Sequence, residues 1–324
     1  MPRAGQNPMR WAKEVHHPSK VNIATAVHIP CLDGYWKEGM DVLKLCLKSL
    51  RENTGTEFDL LVFDNASCAE VREFLTGMRD RGEIEFLVLS EHNIGKVGAW
   101  NFLFSAAPGE IISYADSDVF FAPGWFEASL KILEAFPEAG MITALPVPGD
   151  LSQDEVTLKG VQKDDSISVK EAKDLIPQRY AEAHRKSLGE TEAAYGKRIQ
   201  KRRDVLINRG GVDAYISASH FQFTTTKKIL EKLFPLDTKI PLGDDRTGMS
   251  EAGFWRLSTT EYLVHHMGNK LPSFKDELNW LKIEDTPSRK GLEKKRSRNR
   301  FLDNRFTRPL LKKINAVTYK ILYE

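Results

Sequence analysis

Cysteine is scarce: Cys31, Cys46 and Cys68 are the only three in 324 residues, and none stands in a C-x-x-C spacing. A disulfide framework and a cysteine zinc site are excluded as the basis of the fold, and a reducing compartment fits best. Long apolar runs are also missing. No stretch approaches the ~20 apolar residues of a membrane-spanning helix. Residues 1–20 are polar, carry Pro2, Pro8 and Pro18, and lack the apolar core of a signal peptide. The expectation is a cytoplasmic protein, at most resting on the inner face of a membrane. Charge of one sign is not in excess, since 47 Lys and Arg stand against 45 Asp and Glu. Bulk attraction to polyanions is therefore excluded, and no nucleic-acid partner is expected. There is no internal repeat and no low-complexity tract.

What is present suits an α/β protein. Hydrophobic residues make up 41%, enough for one large domain or two smaller ones. Strand-like runs at Val21–Ile29, Phe58–Phe63, Ile84–Leu89, Glu110–Tyr114 and Met141–Leu145 alternate with helix-length segments. Asp41 reads as an N-cap, followed by Leu43, Leu47 and Leu50 on one helical face. Val71–Met78, Gly98–Ala106 and Trp125–Phe136 read as further helices. Such alternation implies a mainly parallel sheet with helices on both faces.

Ligands gather at the carboxyl ends of the strands in such sheets. Asp64, His92-Asn93 and Asp116-Ser117-Asp118 all stand just past predicted strand ends. Asp116 and Asp118 are two residues apart, so in extended backbone their carboxylates lean the same way. They could share a divalent ion or the water around it. Mg²⁺ and Mn²⁺ prefer such oxygen ligands and keep phosphate or water in their other positions. A D-x-D alone is a weak signal, but the flanks IISYA and VFF argue against a solvated turn.

With these residues in view, the chain resembles the family 2 glycosyltransferases of the GT-A (Rossmann-like) fold. The matches are Ile29-Pro30 after the first strand, Phe63-Asp64-Asn65-Ala66-Ser67 after the second, and Asn93-Ile94-Gly95 through Asn101 after the third. Asp116-Ser117-Asp118 and Phe121-Ala122-Pro123-Gly124-Trp125 follow the fourth. Gly243-Asp244-Asp245 takes the place of an acidic Glu-Asp pair, and Val264-His265-His266-Met267-Gly268-Asn269 resembles the strand whose His completes the metal site. The Gln-x-x-Arg-Trp of processive synthases is absent, which favours single-sugar transfer.

The resemblance implies roles. Pro30, Asp64, Asn93, Lys96, Asn101, Asp116 and Ser117 would bind the nucleotide sugar, with Asp64 at the base. Three of them have a bland alternative: Asp64 as a turn former, Lys96 as a solvated lysine, Asn101 as a helix residue satisfied by backbone. Asp118, Asp116 and His266 would hold Mn²⁺ or Mg²⁺, with His265 the rival of His266. Asp245 would be the general base, with Asp244 its rival. His220 and Trp255 would face the acceptor, although most aromatics are core. A UDP-sugar donor is favoured by family habit alone, and the acceptor would be a glycan or lipid-linked hydroxyl.

The expected organisation is an N-terminal tail (1–20), a nucleotide-sugar half (21–148), a charged helical insertion (149–210), an acceptor half (211–270) and a basic C-terminal extension (271–324). Residues 289–313 hold eleven Lys and Arg against Glu293 and Asp303. This run is a solvated face by default, and with the apolar positions up to Leu322 it could rest on anionic lipid. Two rival readings are a sugar-1-phosphate nucleotidyltransferase and a non-catalytic nucleotide-sugar or carbohydrate binder. The first strand is followed by Pro30-Cys31-Leu32-Asp33-Gly34-Tyr35 rather than a Gly-rich, Arg-bearing loop, which argues against the former.

Overall fold

Buried β-branched and aromatic residues build a ten-stranded sheet in a computed structural model that describes residues 17–149, 151–239, 248–273 and 281. The strands and helices alternate first: β1 Val21–Val27, α1 Gly39–Asn53, β2 Asp59–Asn65, α2 Ala69–Arg81, β3 Phe86–Ser90, α3 Gly95–Ala106 and β4 Ile111–Asp116. Then come β5 Val119–Phe121, α4 Trp125–Ala135, β6 Ala139–Thr143, α5 Glu155–Val161, β7 Ser168–Ala172, α6 Gln178–Ser187 and α7 Glu192–Arg198. The chain continues through β8 Asp204–Arg209, β9 Val212–Ile216, β10 Gln222–Thr226, α8 Lys227–Leu233, β11 Trp255–Ser258 and β12 Val264–His266.

The sheet order is β3-β2-β1-β4-β10-β6-β11-β9-β8-β7. The first four strands are parallel, with Ala26 beside both Phe63 and Asp116. β10 enters antiparallel between β4 and β6, β6 and β11 are parallel, and β9, β8 and β7 continue antiparallel. The expected α/β class with helices on the sheet is what the chain adopts.

Alternation along the strands explains the two-sided burial. On β2, Leu60 and Val62 join Leu43, Leu47 and Leu75 from α1 and α2, while Leu61 and Phe63 join Trp100, Leu103 and Phe104 from α3. A third core gathers Ile132, Phe136, Ile207, Ile216, Trp255 and Leu257. α2 stops at Gly82, whose φ of 76° closes the helix with N–H bonds to Arg79 and Met78.

Several expectations change. The cap of α1 is Glu38, and Asp41 lies in the first turn. The stretch 149–210, expected to be helical, carries α5, α6 and α7 but also β7 and β8, because Val205 and Ile207 alternate into the third core. Ala214–Phe223 (AYISASHFQF) is strand-like in sequence but is not one continuous strand. It breaks at Ser217 (φ 114°), leaving β9 beside β11 and carrying β10 across to β4. Residues 249–253 form turns.

The element that shapes the site is a two-stranded antiparallel ribbon of β5 and β12, with Val264, His265 and His266 opposite Phe121, Phe120 and Val119. Phe121 anchors it. The side chain is fully buried, 4.7 Å from the Trp125 ring, and its backbone N–H donates to Ser49 Oγ at 3.1 Å. Phe121→Ala should lower stability by about 3–5 kcal/mol, measured by urea unfolding. A loss below about 1 kcal/mol would show that the ribbon does not depend on this anchor.

Candidate functional site

The carboxyl ends of β1, β2 and β4 and the start of α3 meet at one edge of the sheet. Asp116 ends β4 and is held from both sides. Its Oδ1 accepts from the Tyr114 hydroxyl at 2.6 Å and its Oδ2 from Lys96 Nζ at 2.6 Å. Tyr114 and Asp116 stand at i and i+2 on a strand, so they share a face. Burial works to raise the Asp116 pKa, but the Lys96 charge and bond, with Tyr114, hold it below the ordinary carboxylate value. Lys96, in the first turn of α3, also lies 5.2 Å from the Trp100 ring centroid. Ser117 is a half-buried turn residue between β4 and β5.

Asp118 has a different environment. β12 returns along β5 and the Met267 N–H donates to the Asp118 carbonyl at 2.7 Å. That register sets His266 Nε2 3.3 Å from Asp118 Oδ2, while His266 Nδ1 lies 3.2 Å from the Ser187 carbonyl at the end of α6. Burial works to lower the His266 pKa, but the Asp118 carboxylate outweighs it and raises the value to about 9. His265 points the other way, its Nδ1 2.8 Å from the Tyr262 hydroxyl, and burial with the neighbouring His266 charge lowers its pKa to about 4. Asp118 Oδ1 is buried and has no hydrogen-bond partner among the described residues.

Asp64 is fully buried at the end of β2. Its carboxylate accepts from the Ser67 N–H at 3.2 Å and from Arg72 Nε at 3.1 Å. Ala66 takes a φ of 64° so that this turn can close. Ser67 Oγ in turn accepts the Ile29 N–H at 3.0 Å, next to the exposed Pro30. A polar relay sits beyond it. Asn65 Oδ1 accepts the Ile94 N–H at 2.8 Å, Asn65 Nδ2 donates to Asn93 Oδ1 at 3.0 Å, and Asn93 Nδ2 lies 3.1 Å from His28 Nε2. Asn93 Oδ1 also accepts the Gly95 N–H at 2.8 Å, with Gly95 at φ 73°.

The structure thus brings Asp116, Lys96, Asp118 and His266 to one edge. His220 lies nearby in the loop before β10: its ring is 6.5 Å from that of Trp100, and the adjacent Phe221 carbonyl accepts the Asp116 N–H at 2.8 Å. Two other residues are engaged elsewhere. Asn101 makes a reciprocal pair of 2.8 Å bonds with the backbone of Leu236. Trp255 begins β11, at the opposite end of the sheet, buried in the third core against Gly160 and Arg209. Asp244 and Asp245 lie outside the described residues. Sequence reading missed His28, Tyr114 and Arg72; the strand alternation could have found Tyr114.

The sequence profile of the family described as Glycosyl transferase family 2 matches residues 27–201, more than half of the chain. The chain belongs to glycosyl transferase family 2. A family member's likeness extends to an uncharacterized glycosyltransferase of Nostoc sp., 20% identical over 128 residues, which are 39% of this chain and 40% of that protein. The chain thus spans less than half the length of this curated relative. Among solved structures, this family 2 chain is similar to a mannosyltransferase from Pyrobaculum calidifontis in complex with GDP-Man and Mn²⁺ (15% identity, 84% and 64% of the two chains covered, TM-score 0.45). It is also similar to S. aureus TarS 1-349 in complex with UDP-GlcNAc (15% identity, 40% and 35% covered, TM-score 0.33).

Removing the Lys96 charge tests the electrostatics. The Asp116–Lys96 pair is about a quarter exposed, so Lys96→Met should cost about 1–3 kcal/mol at neutral pH, less than a fully buried pair. The Asp116 pKa is depressed in the fold, so its stabilisation is present above the unfolded carboxylate value and lost as pH falls through the folded one. The gap between variant and parent in urea unfolding should therefore close below about pH 4. A gap that persists unchanged at pH 3 would refute the charge argument.

Proposed function

We propose that this family 2 chain is an inverting, metal-dependent glycosyltransferase that moves a sugar from a nucleoside diphosphate donor, a UDP-sugar by preference, to a hydroxyl acceptor. The observation that carries the reading is Asp118 beside His266 at 3.3 Å, with Asp118 Oδ1 buried and unpartnered among the described residues. A hard divalent cation suits that set. Mg²⁺ and Mn²⁺ are commonly held by one or two protein carboxylates together with substrate phosphate oxygens. Among the described residues no three His, Cys, Asp or Glu side chains are grouped to hold a metal by themselves, so two protein ligands completed by the donor match this chemistry. Asp118 would hold the ion together with His266, which must give up its proton to do so, and Asp116 would reach it through water. When bound, it neutralises charge that builds on the departing diphosphate.

The chain's own groups do the rest. Lys96 offers a cation at the mouth of α3, where exchange of its Asp116 contact for a donor phosphate is electrostatically even. Asn93 and Pro30 line the loops at the base end of the edge, and Asp64 fixes the turn there. Asp245 is the general base, with Asp244 its rival: a carboxylate within reach of the acceptor hydroxyl takes its proton as attack on the anomeric carbon develops. Attack opposite the leaving group inverts the centre. His220 flanks the acceptor side.

The acceptor is a glycan or lipid-linked hydroxyl in cell-envelope polysaccharide or glycolipid assembly. Among the described residues no helix is long and apolar enough to cross a membrane. The basic stretch 289–322, outside the described residues, would hold a cytoplasmic enzyme to an anionic lipid face.

Thermal unfolding with UDP-sugars, with and without Mn²⁺, tests the donor half. A donor at a hundred times its Kd should add about 2.7 kcal/mol, only with metal, and Asp118→Asn should abolish the metal-dependent part. Stabilisation by donor that ignores both metal and Asp118 would overturn the assignment. Asp245→Asn should keep that stabilisation and lose about 10²–10⁴-fold in turnover. A parent that binds donor but never transfers or hydrolyses it is a binding protein instead.

A further inference from the structure

The second face of α6 borders a cavity that the donor residues do not share. Tyr180, Ala183 and His184 of α6 are buried, and Ser187 reaches His266 on that side. Gln178, Ala181, Glu182 and Arg185, offset by three and four residues, line a cavity of about 620 Å³ between α6 and α7. Its volume lies within the range of small-ligand sites, roughly 300–1,000 Å³. The helix itself, about 10 Å across, separates it from His266.

The lining selects a ligand class. Carboxylates come from Asp174, Glu182 and Glu192, and guanidinium groups from Arg185 and Arg202. Arg202 is already committed, donating to both Asp204 oxygens and to the Ile176 carbonyl, so it is a wall rather than a free cation. A phosphate or sulfate would meet three carboxylates, and a cation would meet two guanidinium groups. A neutral polyol meets neither penalty, because each hydroxyl both donates and accepts. Glu182 and Gln178, 2.9 Å apart on adjacent turns, present an acceptor and a donor side by side. Ile199 and the Tyr195 ring, both half-buried, give the apolar surface that the C–H face of a sugar ring covers, with Ile176 and Ala181 buried behind them.

We propose that the α6–α7 cavity binds a neutral sugar ring, one helix away from His266. This goes beyond the transferase reading, since such a site can hold a sugar whether or not the edge of the sheet performs transfer. It also gives the charged segment 149–210 a role at residue level, because α6 contacts the ring on one side and His266 on the other.

Saturation-transfer NMR of the full chain against neutral and sulfated oligosaccharides, without donor or metal, tests it. Neutral sugars should receive saturation. Gln178→Ala with Glu182→Ala should weaken the affinity about tenfold or more, the loss expected for one hydrogen bond to a charged group. Both side chains are exposed, so the fold is spared, and circular dichroism checks it. Asp118→Asn should bind neutral sugars as the parent does, which separates this site from the donor site. Equal affinity in the double variant, preference for sulfated sugars, or no neutral sugar bound at all would overturn the proposal. Donor stabilisation can fail or succeed independently of any of these results.

Discussion

The register of β12 on β5 is the constraint on which the site depends. These short strands are far apart in sequence, and their pairing decides which histidine meets Asp118. Successive strand residues point to opposite faces. A slip of one residue would exchange His266 for His265, which is fitted instead to Tyr262. Two features fix the register. The Met267 N–H extends the ladder to the Asp118 carbonyl, and Phe121 is locked between Ser49 and Trp125. A ribbon of three residues per strand would not persist alone, so the core behind it supplies the precision.

That closure also separates the two carboxylates of the D-x-D. The sequence suggested one shared ion, because both side chains lean the same way in extended backbone. The backbone turns at Ser117, however, and the environments diverge. Asp116 is saturated by Lys96 and Tyr114, whereas Asp118 keeps a buried oxygen without a partner among the described residues. A carboxylate with both oxygens already hydrogen-bonded is a poor direct ligand for a metal ion. One with an unmet acceptor in a buried position is a good one. The division of labour between the two therefore follows from their neighbours and not from the motif.

Most of the fold was legible because its first half obeys local rules. Leu60 to Phe63 alternate between two cores, and Leu43, Leu47 and Leu50 fall on one helical face, so the strand–helix alternation could be read from periodicity. Legibility failed where non-local pairing decides. VKEA and DVLINR read as charged, helix-permissive sequence, yet they pair with each other at the far edge of the sheet. Nothing local announces that Ser217 breaks one strand run into β9 and β10, since the break serves β11 on one side and β4 on the other. The site shows the same split. Asp116 and Asp118 were visible from their flanks. Trp255 was not placeable, because one aromatic at a strand start looks alike in a cleft or a core.

Charge-rich composition in 149–210 suggested a helical insertion, and its buried faces tie that insertion to the core. Tyr180, Ala183 and His184 pack inward from α6, and Asp204 accepts the Ile176 N–H at 2.9 Å within the same segment. A helix whose charges occupy one face only is amphipathic, and its apolar face must be covered. Here the cover is the ribbon that carries His266. The surplus of charge is then the solvent side of an element built into the site, and any movement of α6 would have to displace Ser187 from His266. The composition of a segment reports the average over its faces, whereas contact with the site is decided by one of them.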